Sequence, residues 1–168
     1  YRLEVYSKEA DQNGLECGPK YTEPVFIEVY DPLSAGSLSS DQTICYSTTP
    51  DSLSFSDLPS GSSGEGDYEY QWQISTDMDT WSDIELSTGT TYSPEVLYEA
   101  TYYRVRVSSL YGCGVVFTPP LTVNVYDEQQ VGSITGFDSI CQFESPYNIE
   151  VDNEPSGGDP NYNYNWPP

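Results

Sequence analysis

The run from Thr101 to Asp127, TYYRVRVSSLYGCGVVFTPPLTVNVYD, decides how the rest of the chain is read. Tyr103, Val105 and Val107 alternate with Arg104 and Arg106. Leu121, Val123 and Val125 do the same after a turn at Tyr111-Gly112-Cys113-Gly114. Period-two alternation sends one side of each strand to a core and the other to water, so the run is expected to be a β-hairpin that closes a domain. The chain opens with a second copy of it. Tyr1-Arg2-Leu3-Glu4-Val5 matches Tyr103-Arg104-Val105-Arg106-Val107, Cys17-Gly18 matches Cys113-Gly114, and Val25 to Asp31 matches Leu121 to Asp127.

Further out, Tyr30 and Tyr126, Cys17 and Cys113, and Cys45 and Cys141 are each 96 residues apart. Three landmarks on one spacing are the signature of an internal repeat. Ala35-Gly36-Ser37-Leu38 returns as Val131-Gly132-Ser133-Ile134, Pro59-Ser60-Gly61 as Pro155-Ser156-Gly157, and Tyr68-Glu69-Tyr70-Gln71-Trp72 as Tyr162-Asn163-Tyr164-Asn165-Trp166. The expected organisation is one complete repeat at 31–127, the closing strands of a preceding repeat at 1–30 and the opening strands of a following one at 128–168. On this reading the 168 residues belong to a longer polypeptide.

Composition narrows the class. With 27 acidic and 5 basic residues, no histidine and a net charge of −22, the chain should repel nucleic acid and anionic membranes, whose binding rests on Lys and Arg. The acids are scattered, as on a solvated surface. Sixteen tyrosines and frequent Thr, Ser, Gly and Pro favour strands and turns over helices. No apolar run is long enough to be a membrane-spanning helix. Cysteines near the start and end of each repeat point to disulfides and an oxidising or extracellular setting.

Within the complete repeat, Asp31-Pro32-Leu33-Ser34 is expected to be a short link and Ala35 to Leu38 a first strand. Leu53 and Phe55 mark a second strand; Tyr68, Tyr70, Trp72 and Ile74 mark a third with its aromatic face inward. Ser75 to Thr80 should be a polar turn, Thr90 to Tyr92 a short strand and Pro94 to Ala100 a helical turn. About seven short strands in some 96 residues, with a Cys…Trp…Cys order, predict tandem immunoglobulin-like β-sandwiches.

Several motifs carry a family resemblance. They are Asp41-Gln42-Thr43-Ile44-Cys45, the Pro-Ser-Gly loop leading into Tyr70-Gln71-Trp72-Gln73, Ser75-Thr76-Asp77 followed by Trp81, Thr91-Tyr92-Ser93-Pro94, Ala100 to Arg104 and Gly112-Cys113-Gly114. Together they resemble the Ig-like tandem repeats of giant Bacteroidota cell-surface adhesins, including the gliding-motility adhesins exported by type IX secretion. The resemblance implies a cell-surface fibre or adhesin. Its expected partners are neighbouring repeats of the same chain, an extracellular surface or polysaccharide, and secretion or motility machinery. The alternative is a spacer or carbohydrate-binding module of a secreted multidomain hydrolase.

The candidate sites are few. Cys45 is expected to pair with Cys113, leaving Cys17 and Cys141 to partners in other repeats; the rival pairs Cys17 with Cys45 and Cys113 with Cys141. The strict alternation of Tyr68, Tyr70 and Trp72 favours core packing over a sugar-stacking platform, which leaves Trp81 and Tyr126 as candidate ligand-contact aromatics. Asp77, Asp79 and Asp83 crowd one turn and Asp152, Glu154 and Asp159 another. The first is a weak Ca²⁺ candidate without EF-hand spacing; no cofactor is otherwise implied. Asp51-Ser52-Leu53 and Asp138-Ser139-Ile140 match the short Bacteroidota O-glycosylation pattern, making Ser52 and Ser139 candidate glycan carriers. Without histidine there is no Ser-His-Asp or Cys-His arrangement, and nothing singles out a carboxylate pair, so no enzyme is expected.

Overall fold

The computed structural model describes residues 1–5, 19–62, 68–110, 113–136, 139, 141–143 and 150–165. Among them the protein is all-β, and it divides into two compact units, Tyr1–Asp31 and Pro32–Pro168. The first unit holds β1 (Glu4–Val5) and β2 (Lys20–Tyr21), paired antiparallel. The strands that follow are β3 (Asp31–Ser34), β4 (Ser37–Leu38), β5 (Gln42–Ile44), β6 (Leu53–Asp57), β7 (Ser60–Ser62), β8 (Tyr68–Ser75), β9 (Ser82–Asp83), β10 (Thr91–Tyr92), β11 (Thr101–Ser109), β12 (Val115–Phe117), β13 (Leu121–Val125), β14 (Ser133–Thr135) and β15 (Glu150–Asn153).

Two sheets face each other. The larger runs β5-β13-β11-β8-β9, with β12 also paired to β11; the smaller runs β10-β6-β4. Inward residues of β11 and β13 do what their alternation predicts: Tyr103, Val105, Val107, Leu121 and Val123 are buried. Trp72 of β8 and Leu53 of β6 complete the centre. From the smaller sheet, the Phe55 ring meets Trp72 edge-on with centroids 6.5 Å apart and the tilted Tyr92 ring lies 5.7 Å from it. The buried indole N–H donates to Gly89 O at 2.9 Å, so burying Trp72 leaves no orphan donor. This arrangement is sandwich-like.

Three local readings change. Residues 31–34 are not a link but strand β3, which pairs with β7 and buries Leu33. No helical turn forms over 94–100. Leu97 instead bridges Thr48, its N–H donating to Thr48 O and its carbonyl accepting from Ser47 N, so cross-chain bonds take the backbone groups a helix would need. The closing hairpin is also split. β12 and β13 lie on the same edge of β11, interrupted at Thr118-Pro119-Pro120; the prolines cannot donate to a ladder, and Thr118 Oγ1 accepts from Val105 N instead.

Beyond Val125, β14 and β15 pair through Ser133↔Asn153 and Ile134↔Val151, with an irregularity after Ser133. β4 and β6 pair through Ser37↔Asp57 and Leu38↔Phe55, with the same irregularity after Ser37. Gly36 and Gly132 mark both sites, and at each a Cβ would collide with the carbonyl of the facing residue, Asp57 or Asn153.

Candidate functional site

The alternation that buries Val105 sends Arg104 and Arg106 to the outer face of the larger sheet. They are two of only five basic residues in the chain. The guanidinium of Arg104 lies 4.2 Å from the ring centroids of both Trp81 and Phe117, and its Nε donates to Gln73 Oε1 at 2.8 Å. Gln73 Nε2 donates in turn to Asp83 Oδ1 at 2.7 Å, and Asp83 Oδ2 is 3.5 Å from Arg106. Partial desolvation lowers the pKa of Arg104, which stays cationic. A cleft of about 510 Å³ borders this face along Glu69, Gln71, Arg106 and Ser108.

Trp81 is therefore no bare stacking platform. Arg104 lies over its ring, and its N–H is spent on Met78 O at 2.9 Å. Tyr126 lies past the end of β13, where its backbone N–H donates to Ile44 O. Sequence reasoning missed the Arg104, Gln73 and Asp83 chain. The signal was available: both cations of this region fall on the outward positions of β11, opposite Gln71 and Gln73 of β8.

The acidic turn after β8 is explained by its own backbone. Asp77 Oδ1 accepts from Asp79 N at 2.8 Å, Thr80 N at 2.7 Å and Ser75 Oγ at 2.9 Å. The backbone donors Thr80 and Asp79, then Ser75, hold its carboxyl at about 2, below the ordinary 3.8. Asp83 is committed to Gln73 and Arg106. Asp77, Asp79 and Asp83 are thus not gathered into a calcium site, and no group of three potential metal ligands occurs among the described residues.

The expected bond between Cys45 and Cys113 is not present; both are exposed thiols. Topology supplies the reason. β5 runs parallel to β13 with Ile44 opposite Val125, which puts Cys45 level with the start of β11, whereas Cys113 follows the far end of β11 at Ser109. Eight steps of β11 at ~3.3 Å each separate those levels by roughly 26 Å, against the ~7 Å limit on Cα separation in a disulfide. Cys141 is exposed, and Cys17 lies outside the described residues. Ser52 is exposed with its hydroxyl 2.8 Å from that of Ser93; Ser139 is exposed, while Asp138 and Ile140 on either side lie outside the described residues.

A second cleft, of about 700 Å³, opens where the chain leaves β13. Cys45 and Tyr46 form one wall, and Asp127, Glu128, Gly158, Asp159, Asn161 and Tyr162 are among the residues of the others. Residues 34–127, just over half of the chain, match the family described as a domain of unknown function (DUF8696). The chain belongs to this family. No curated protein and no solved structure matches it. The DUF8696 region contains both sheets, the Arg104 cradle, the Asp77 turn, Cys45, Cys113, Ser52, Trp81 and Tyr126; Ser139 and Cys141 lie beyond it.

Proposed function

We propose that the chain is a structural and adhesive segment of a long, repetitive, extracellular cell-surface protein, built from immunoglobulin-like sandwiches about 96 residues apart. The observation that carries this reading is a difference in burial between residues that correspond in sequence. Val105, Leu121 and Val123 are 0–1% exposed, whereas their counterparts Leu3, Val25 and Ile27 are 62–66% exposed. Val5↔Lys20 corresponds to Val107↔Val116, and Glu4↔Tyr21 to Arg106↔Phe117. Leu3 N donates to Thr22 Oγ1 as Val105 N does to Thr118 Oγ1, and Arg2 lies over Tyr21 as Arg104 lies over Phe117. A hairpin that keeps these bonds while exposing its apolar face is suited to being one wall of a further sandwich.

The function of such an array is mechanical. Successive sandwiches hold a binding region away from the cell, and the charge of −22 keeps the fibre soluble. Attachment to a surface or polysaccharide, gliding motility and type IX secretion follow from the resemblance to Bacteroidota adhesins. The role is non-enzymatic. The mass of the native polypeptide tests the array: a value many times 18.8 kDa is expected, and 18.8 kDa would overturn it. Labelling of intact cells with an antibody to residues 31–127 tests surface display, and labelling that appears only after permeabilisation would count against it.

The Arg104 cradle favours a second reading, a carbohydrate-binding module on a secreted hydrolase, since cation and aromatic rings suit an anionic glycan. Binding to uronate-containing polysaccharides that disappears in Trp81→Ala and Arg104→Ala, with the fold intact, would support the module.

A further inference from the structure

We propose that Cys45 is one half of a disulfide staple between successive domains, its partner being the hairpin cysteine of the domain that follows. The inference rests on the repeat reading above and adds a covalent connection to it. Each domain has two poles. At the entry pole β3 pairs with β7, Ser62 Oγ contacts Ser109 Oγ, and Cys113 follows four residues on. At the exit pole, Tyr126 N donates to Ile44 O, and Cys45 comes next. Because β5 is parallel to β13, its last residue must lie where the chain leaves the domain. One cysteine therefore stands at each end, and neither can reach the other.

The segment after Asp127 rebuilds an entry pole beside Cys45. Gly157 packs against Glu128 O as Gly61 packs against Pro32 O, and Tyr162 Oη donates to Gly157 O as Tyr68 Oη does to Gly61 O. Counting on 96 residues, Ser62 corresponds to Gly158, and Gly158 lines the same cleft as Cys45. In the complete domain the residue at that place touches Ser109, and the hairpin cysteine is four residues further along. A following domain completed in the same way carries its hairpin cysteine to the cleft that Cys45 faces. By the same geometry Cys113 pairs with the exit-pole cysteine of the domain before. Both thiols are exposed at the poles, where neighbours meet.

Closure is a thiol–disulfide exchange with the disulfide form of a dithiol oxidase or with a low-molecular-weight disulfide. One thiolate attacks the oxidant's disulfide and releases one of its thiols; the second thiolate then attacks the mixed disulfide. Two protons and two electrons leave the cysteine pair, and the oxidant is reduced to two thiols.

The test is a peptide map of the native polypeptide, alkylated without reduction and compared before and after reduction. The expected result is a cross-linked pair joining the Cys45 peptide to a Cys-Gly hairpin peptide other than those of Cys17 and Cys113. On reduction the pair should vanish, leaving two separate peptides. In a polypeptide many times heavier than 18.8 kDa, an alkylated Cys45, or Cys45 joined to Cys113 or to Cys17, would overturn the staple and leave the array standing. A native mass of 18.8 kDa would remove the array, and with it the staple.

Discussion

The hairpin at the start of the chain and the hairpin of β11 to β13 share sequence, register, a threonine in the place of a missing ladder bond and an arginine over an aromatic ring. They differ in what lies across from them. Val105 and Val107 share a core with Leu53 and Phe55 of the opposite sheet and Trp72 of their own, while Leu3 and Val5 stay exposed. Local hydrogen bonds evidently suffice to specify the hairpin. Burial, which supplies most of the stabilising free energy of a domain, depends on the opposing sheet.

The largest test of this contrast is in the core. Trp72→Ala should cost about 3–5 kcal/mol in urea unfolding, because it removes the ring that both sheets share. Leu3→Ala, at the site corresponding to Val105, should change the unfolding free energy by no more than about 0.5 kcal/mol in these 168 residues. A large effect of Leu3→Ala would mean that the first hairpin is covered in solution, and the contrast would fail.

Next come the threonines. Thr118→Val leaves the buried Val105 N–H without its acceptor and should cost about 1–3 kcal/mol. Thr22→Val exposes the corresponding N–H of Leu3 to water, which replaces the lost oxygen, so roughly no change is expected. Calorimetry of both variants measures the difference.

The cation–aromatic contacts should give less. Arg104→Ala loses contacts with two rings and a bond to Gln73, for about 1 kcal/mol, and Arg2→Ala loses one exposed contact, for about half of that or less. Equal effects would show that Trp81 adds nothing to the cradle.

The smallest effect concerns pH and the complete domain alone, since neither terminal segment contains a counterpart of the Asp77 turn. The folded pKa of about 2 lies below the ordinary 3.8, so the ionised carboxylate stabilises the fold above pH ~4, and that stability is lost as pH falls through about 2. The Tm gap between the wild type and Asp77→Asn should therefore shrink on acidification. A gap that widens toward pH 2 would reverse the sign.

Some residues could be read correctly from sequence because their placement is local. Tyr103, Val105 and Val107 had to share a face, and Trp72 had to follow Tyr70 inward, since a strand alternates whatever it pairs with. Pro94 to Ala100 misled for the opposite reason. A proline followed by Glu-Val-Leu-Tyr-Glu can begin a helix, but Ser47 and Thr48, distant in sequence, take the hydrogen bonds of Leu97. Trp81 was singled out as an aromatic on a polar stretch, yet the partner that covers it, Arg104, is visible only once β11 is laid beside β8 and β9.

By itself the sequence determined the strand class, the inward residues of β11 and β13, and the correspondence between the two ends of the chain and its middle, because side-chain periodicity is written in consecutive residues. Tertiary structure alone decided that Asp31 to Ser34 is a strand, that Asp77 caps its own turn, and that Cys45 and Cys113 stand at opposite poles. These outcomes depend on which strands pair and in which direction, and a parallel partner puts a residue at the other end of the sheet from an antiparallel one.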